Sequence, residues 1–240
     1  MNPSSPELYQ KLIKSCKYFF IKNPILIVSR LWFQYRNDWY TIVNKKRIKF
    51  KNISSKIWVT GAIEIYQNQN EQSRIPSLIS KLYKCENKHL NLSYGNILFK
   101  DFMFIASKCD YIWLYDSTVI NEDGSIVSLE KIIEILPNIN DFKYCLPNAS
   151  SKIITPKTVK EMLKLPQFLN FIELSLENIP ENFDIETFYE HMKKNKKTQI
   201  CLRFCDGISE EYKNKLQAII DEIKEIDDPD TNKNHFIEFP

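Results

Sequence analysis

Between Cys85 and Ile226 one short pattern comes back five times: a few alternating apolar residues, a loop, then an amphipathic helical stretch. The strand-like parts carry apolar pairs two residues apart, the spacing that puts side chains on one face of a β-strand. The pairs are Leu90 and Leu92, Ile112 and Leu114, Phe142 and Tyr144, Ile172 and Leu174, and Ile200 and Leu202. Behind them stand apolar residues at helical spacing, one buried stripe per helix. These are Phe99, Phe102, Met103 and Ala106; Leu129, Ile132, Ile133 and Leu136; Val159, Met162 and Leu163; Ile185, Phe188, Tyr189 and Met192; and Leu216, Ile219, Ile220 and Ile223.

From anchor to anchor the strands step by 22, 30, 30 and 28 residues. The recurrence of about 28 residues falls inside the range of leucine-rich repeats. One such segment cannot bury both its helix stripe and its strand face, so neighbours must stack with parallel strands and right-handed crossovers. The expected fold is α/β: a leucine-rich-repeat-like solenoid of about five strand–helix units over residues 85–240, closed by a C-terminal cap. The Asn or Cys that ends the strand turn in such repeats stands out of register, as at Asn96 and Asn178. A doubly wound α/β domain would give the same alternation of elements. The fixed period and the lack of a Gly-rich turn after the strands weigh against it.

Residues 32–84 read as a β-rich junction and first cap. Trp32, Phe33 and Tyr35, Trp39 to Val43, Ile48 to Phe50 and Ile57 to Tyr66 predict three or four strands. The cluster of Trp32, Tyr35, Trp39 and Tyr40 suits the sealing of an open array end. Lys45, Lys46, Arg47, Lys49 and Lys51 alternate with Ile48 and Phe50, the pattern of a solvated strand face. Gln67 to Arg74 is a polar surface loop and the expected site of proteolytic nicking, and Ile75 to Leu82 a helix. After Ile226 the run Asp227 to Asn232 breaks the last helix, and His235 to Phe239 can add an edge strand.

The opening segment, residues 1–31, begins with an amphipathic helix carrying Tyr9, Leu12, Ile13 and Cys16 on one face. Its continuation, Ser15-Cys16-Lys17-Tyr18-Phe19-Phe20 and then Asn23-Pro24-Ile25-Leu26, resembles the second half of an F-box. Leu8, Leu12, Cys16, Lys17, Phe19, Pro24 and Leu26 match that motif, with Tyr18 where Arg is common. The first helix of the motif would precede Met1. The stretches Tyr18 to Leu26, Asn121 to Val127 and Ile219 to Ile223 extend the resemblance to the expanded nematode F-box-like proteins. The resemblance implies that Leu8, Leu12, Cys16, Phe19, Pro24 and Leu26 dock a Skp-family adaptor of a cullin-RING ubiquitin ligase, and that the array holds a protein target.

Little else in the chain points to chemistry. The three histidines, His89, His191 and His235, stand apart from any triad or metal-ligand spacing. None of the four glycines belongs to a phosphate-cradling cluster, so neither a cofactor nor a small-molecule substrate is expected. Six cysteines without a C-x-x-C pair suit a reducing compartment, cytoplasmic or nuclear. With 33 basic against 30 acidic residues no global field draws the chain to nucleic acid or to a membrane. The residues alternating with the strand anchors remain: Asn91, Trp113, Tyr115, Lys143, Cys145, Glu173, Ser175, Cys201 and Arg203. Of these, Asn91, Trp113, Tyr115, Lys143, Glu173 and Arg203 are the candidate target-binding row, since aromatic and Arg side chains dominate interface energies. The expected function is that of a non-catalytic substrate-recognition adaptor, or of a free-standing interaction module that has lost ligase docking.

Overall fold

A computed structural model of the chain describes residues 4–34, 38–43, 45–68, 75–148, 152–195, 197–225 and 235–240. Tyr35, positions 69–74 of the polar loop and the helix-breaking run after Glu225 lie outside these residues.

The elements follow in the order α1 (Pro6–Ser15), α2 (Lys17–Lys22), β1 (Ile25–Gln34), β2 (Tyr40–Val43), β3 (Lys46–Lys49), β4 (Lys56–Tyr66), α3 (Ile75–Ile79) and β5 (Leu82–Cys85). Then come β6 (His89–Leu98), α4 (Phe99–Ala106), β7 (Tyr111–Ile120), α5 (Leu129–Glu134), β8 (Asp141–Cys145), α6 (Thr158–Met162), β9 (Glu173–Ile179), α7 (Ile185–Lys194), β10 (Gln199–Phe204), α8 (Glu210–Glu225) and β11 (His235–Glu238). The fold is mixed α/β around one open sheet of eleven strands. Strands β6 to β11 lie side by side in chain order, all parallel. β4 and β1 continue the parallel run past β6, and β2 and β3 close that end as an antiparallel pair. β5 is a short companion to β4. The four strands of the junction thus belong to the same sheet, and the first begins at Ile25, earlier than the sequence pattern suggests.

Register explains the burial. Leu90, Ile112, Phe142, Leu174 and Ile200 are consecutive partners across five strands, and all are buried. Leu92, Leu114, Tyr144, Leu176 and Leu202 form the next line. Burying such a side chain is worth about 1.5–3 kcal/mol. Side chains of α3 to α8, among them Leu78, Phe102, Ile132, Val159, Phe188 and Leu216, join these lines in one contiguous core.

Three details of the expected pattern shift. In β9 the inward pair is Leu174 and Leu176, whereas Ile172 is 64% exposed ahead of the strand. Ile172, Leu174 and Leu176 make two overlapping i, i+2 pairs, and spacing alone cannot choose between them. In α4 the buried stripe is Phe102, Ile105 and Ala106, with Met103 turned outward. The helix predicted over Ile75 to Leu82 ends at Ile79, and Leu82 instead opens β5 against Ile57.

A second bonding system runs across the strands. Six buried or half-buried polar side chains donate to main-chain carbonyls of the segment that precedes them. Ser117 Oγ reaches Leu92 O at 3.2 Å, Tyr144 OH reaches Ser117 O at 2.6 Å, and Gln167 Nε2 reaches Ile133 O at 2.8 Å. Asn178 Nδ2 donates to Leu146 O at 2.9 Å, Thr198 Oγ1 to Phe171 O at 2.8 Å, and Tyr212 OH to Phe183 O at 2.6 Å. Leu146, Phe171 and Phe183 lie in loops, Leu92 and Ser117 inside β6 and β7, and Ile133 in the last turn of α5; an unpaired buried carbonyl is costly.

Asn178 also sits at φ +60°, as do Tyr94 at the same angle and Asp116 at +45°, so β6, β7 and β9 each bend just past their inward pairs. Asparagine tolerates that left-handed region better than most residues. Asn96, by contrast, is exposed within β6 and closes no turn. Asn178→Ala is expected to cost about 2 kcal/mol in urea unfolding, from the lost carbonyl bond and the backbone strain. Asn178→Gly, which relieves the strain only, should cost less.

The N-terminal segment packs on the opposite side of the sheet from the other helices. Ser5 caps α1 by accepting from Leu8 N at 3.2 Å. The chain turns extended at Cys16, which splits the expected continuous helix into α1 and α2. Tyr9 is the anchor. It is buried with Ile25 and Trp58, flanked by Ile13, Ile27 and Tyr83, and its hydroxyl donates to Asn23 O and accepts from Ile25 N.

Candidate functional site

Because β-strand side chains alternate, every inward anchor has neighbours on the other sheet face. Three transverse lines result. The first holds His89, Tyr111, Asp141, Glu173 and Gln199; the second Glu64, Asn91, Trp113, Lys143, Ser175 and Cys201. The third holds Tyr66, Ser93, Tyr115, Cys145 and Glu177, with Arg203 beside it. α1 lies on this same face, over the strand starts at Ile27 and Trp58, and leaves the three lines uncovered.

The six residues expected in a target-binding row therefore share one face but not one line. Asn91, Trp113 and Lys143 stand on the middle line, Glu173 one step below, and Tyr115 and Arg203 one step above. The sequence reading missed Tyr111, Asp141 and Glu177, although each is two residues from a predicted member. Extending the alternation one step further along each strand finds them.

Trp113 and Tyr115 are 37% and 36% exposed and meet edge to face, with ring centroids 6.3 Å apart. Tyr94 packs on Tyr115 in the same manner at 5.3 Å. The charged side chains are bound among themselves. Lys143 Nζ lies 2.7 Å from Glu173 Oε1, and Arg203 bridges Glu177 at 2.8 Å and Glu238 at 3.0 Å while lying over the ring of Phe236. Asp141 has a carboxyl raised above the usual range, first by burial and then by the neighbouring Glu173, against the pull of Lys143 and His89. For Lys143, burial works to lower the pKa, but the bond to Glu173 and the nearby carboxylates hold it above the ordinary lysine value.

A carboxyl whose pKa is higher in the folded than in the unfolded chain binds its proton more readily when folded, so its ionised form opposes folding. Asp141→Asn is therefore expected to raise the melting temperature at pH 7. The advantage should shrink as the pH falls through the folded-state pKa of Asp141, where the native carboxyl becomes neutral too. Thermal melts of both proteins between pH 3 and pH 7 measure this.

The expected adaptor-docking residues are spread over α1, α2 and β1. Leu8 is 46% exposed, Cys16 and Pro24 are exposed, and Leu12 and Phe19 are half-buried. Leu26 pairs with Ile57 inside the sheet and packs against the main core. Tyr18, Phe20 and Ile21 of α2, outside that set, are exposed as well. At the sheet edge the aromatic cap is partly visible: Trp32 stacks on Tyr40 at 5.5 Å, and Trp39 is buried against Phe33 and Phe50. The basic run lies on edge strand β3, where Arg47 covers the Tyr40 ring at 3.6 Å.

Among the described residues no group of His, Cys, Asp or Glu side chains is placed to hold a metal ion, and no helix is long and apolar enough to cross a membrane. Comparison with known proteins found no matching family model, no matching curated protein and no matching solved structure.

Proposed function

We propose that this chain is a non-catalytic protein-interaction protein whose strands and helices stack as a leucine-rich-repeat-like array. Its uncovered sheet face holds a protein target, and its N-terminal helices dock a Skp-family adaptor of a ubiquitin ligase, in the cytoplasm or nucleus. The observation that carries the target-binding part is the exposed pair Trp113 and Tyr115 in the middle of a face that helices α3 to α8 leave open. Large aromatic side chains held on rigid strands are the residue type and setting from which binding hot spots are made. The array reading draws support from strands β6 to β11 following one another without a reversal of order, unlike a doubly wound sheet with its switch point.

The docking part draws support from Leu8, Tyr18, Phe20 and Ile21, apolar side chains exposed on two short adjacent helices. A second reading, a free-standing module without ligase docking, is favoured by Leu26, which is turned into the core and leaves the six-residue docking set without a continuous surface.

Two capture experiments with the purified chain test these roles. Immobilised protein should retain a Skp-family adaptor, and Leu8→Asp should weaken retention at least tenfold; no retention by the native chain would leave only the free-standing module. Partners recovered from a cell extract should be lost from the Trp113→Ala/Arg203→Ala variant while its melting profile stays cooperative. Undiminished recovery would refute the role of the face.

A further inference from the structure

We propose that His191 and His235 form an acid-sensitive latch. Uncharged, the pair keeps the C-terminal strand β11 on the sheet; on taking up protons it releases β11 and uncovers the edge of β10. The latch does not depend on what the open face binds.

Hydrogen bonding fixes the charge state of His191. Asn195 Oδ1 accepts from the main-chain N–H groups of Lys197 at 3.1 Å and Thr198 at 3.3 Å, which settles the orientation of its amide. Thr198 Oγ1 gives its own hydrogen to Phe171 O and therefore accepts from Asn195 Nδ2, at 2.9 Å. The second Nδ2 hydrogen is left for His191 Nε2, at 3.3 Å. That ring nitrogen must offer a lone pair, so the proton sits on Nδ1 and the imidazole is neutral. A protonated ring would set N–H against N–H and break a chain of bonds that runs from the end of α7 through Thr198 to Phe171.

The surroundings give a charged ring no compensation. His191 packs on Phe168 and Phe188, with ring centroids 5.2 and 6.3 Å away. Burial, then His235, then Lys194 of its own helix hold its pKa below the ordinary histidine value. Glu190 of α7 and Glu222 of α8 are bonded to Lys193, Glu238 of β11 is bonded to Arg203, and the turn Pro166–Asn170 carries no charged side chain. His235 pairs with Ile200 and so faces the helix-covered side. There its Nδ1 is buried without a partner among the described residues.

β11 is poorly placed to resist such a charge. It has four residues, lies at the sheet edge, and Ile237 is the one buried side chain among them. Elements held so lightly open at a free energy well below that of global unfolding. Because the closed site keeps His191 neutral, the opened form binds protons more readily. The latch is whole above about pH 6.5, the ordinary histidine value, and weakens as the pH falls toward the lowered value of the closed site.

Hydrogen exchange of the full chain, corrected for the pH dependence of free amides, reads the latch directly. Protection of residues 200–203 and 235–238 should fall about tenfold from pH 7.5 to pH 5, while that of β7 holds. The fall should shrink in His191→Gln, whose side-chain oxygen still accepts from Asn195 but takes up no proton, and disappear in His191→Gln/His235→Gln. His89→Gln, on the other face of the sheet, should behave as the native chain does. Long-range proton–nitrogen NMR of the native imidazoles needs no variant and should find the His191 proton on Nδ1 at pH 7.5. An undiminished fall in the double variant, no fall in the native chain, or a proton on His191 Nε2 at pH 7.5 would overturn the proposal.

Discussion

Gly61→Ala is expected to destabilise the chain by about 3 kcal/mol, the upper range for overpacking a site that cannot relax. A Cβ at this position would run into the main-chain carbonyl oxygen of Ser29 on the neighbouring strand, inside van der Waals contact, and 3.3 Å from its carbonyl carbon. The crowding arises where β1 and β4 fall out of step: Val28 pairs with Val59 and Arg30 with Ala62, so β4 fits one residue more than β1 into the same interval. Retreat is blocked on the other side, because Gly61 O accepts from Lys88 N at 2.7 Å. Against a total stability of about 5–15 kcal/mol for a typical domain, a loss of that size is a large fraction. Gly207→Ala provides the comparison, since nothing lies within 4 Å of a Cβ there. That variant should be neutral or slightly more stable, through the reduced freedom of the unfolded chain. Urea unfolding of the two alanine variants and the native protein distinguishes a crowded backbone from a general intolerance of alanine at glycine positions.

Leu114→Ala and Trp113→Ala should have opposite consequences although the residues are adjacent in β7. Leu114 is fully buried between Leu92 and Tyr144 on the helix-covered side. Removing its isobutyl group leaves a cavity in the middle of the sheet and is expected to cost about 2–5 kcal/mol. Trp113 projects from the other face, and its loss should change the unfolding midpoint little while it removes the aromatic centre of the proposed binding surface. Denaturant titration and partner capture on the same two variants separate these effects. A large stability loss for Trp113→Ala, or a small one for Leu114→Ala, would mean that the two faces of β7 had been assigned the wrong way round.

Much of the alternating architecture could be read from residue order because two short periodicities, 2 and 3.6, map onto which side of an element is buried. The helix stripes Leu129, Ile132, Ile133 and Leu136, and Ile185, Phe188, Tyr189 and Met192, are buried as their spacing predicts. Leu90, Ile112 and Phe142 are consecutive partners as expected, while Ile200 meets Leu174 in place of the expected Ile172. Spacing failed where more than one solution satisfied it, as with Ile172, Leu174 and Leu176. In α4 apolar residues ring most of the helix, so the stripe could be rotated without breaking the pattern. The role of β1 was hidden by its position: Ile25 to Val28 is a short apolar run beside a helix, and only pairing with β4 makes it a strand. For the candidate face, residue types were legible but their lateral alignment was not. Lys143 meets Glu173, and Arg203 meets Glu177 and Glu238, across strands whose register no single segment encodes.

From β6 onward six of the side-chain bonds that cross from one strand–helix segment to the next share a direction: the donors at Ser117, Tyr144, Gln167, Asn178, Thr198 and Tyr212 each serve a carbonyl earlier in the chain, whereas ahead of β6 Gln67 donates forward to Tyr94 O. During synthesis the acceptor leaves the ribosome before its donor exists, by some 25 to 34 residues. A nascent chain therefore carries unmet carbonyls at its newest edge until the following segment emerges. A fragment cut back from its C-terminus keeps that defect permanently, whereas one shortened from its N-terminus exposes hydroxyls and amides that can rotate toward water.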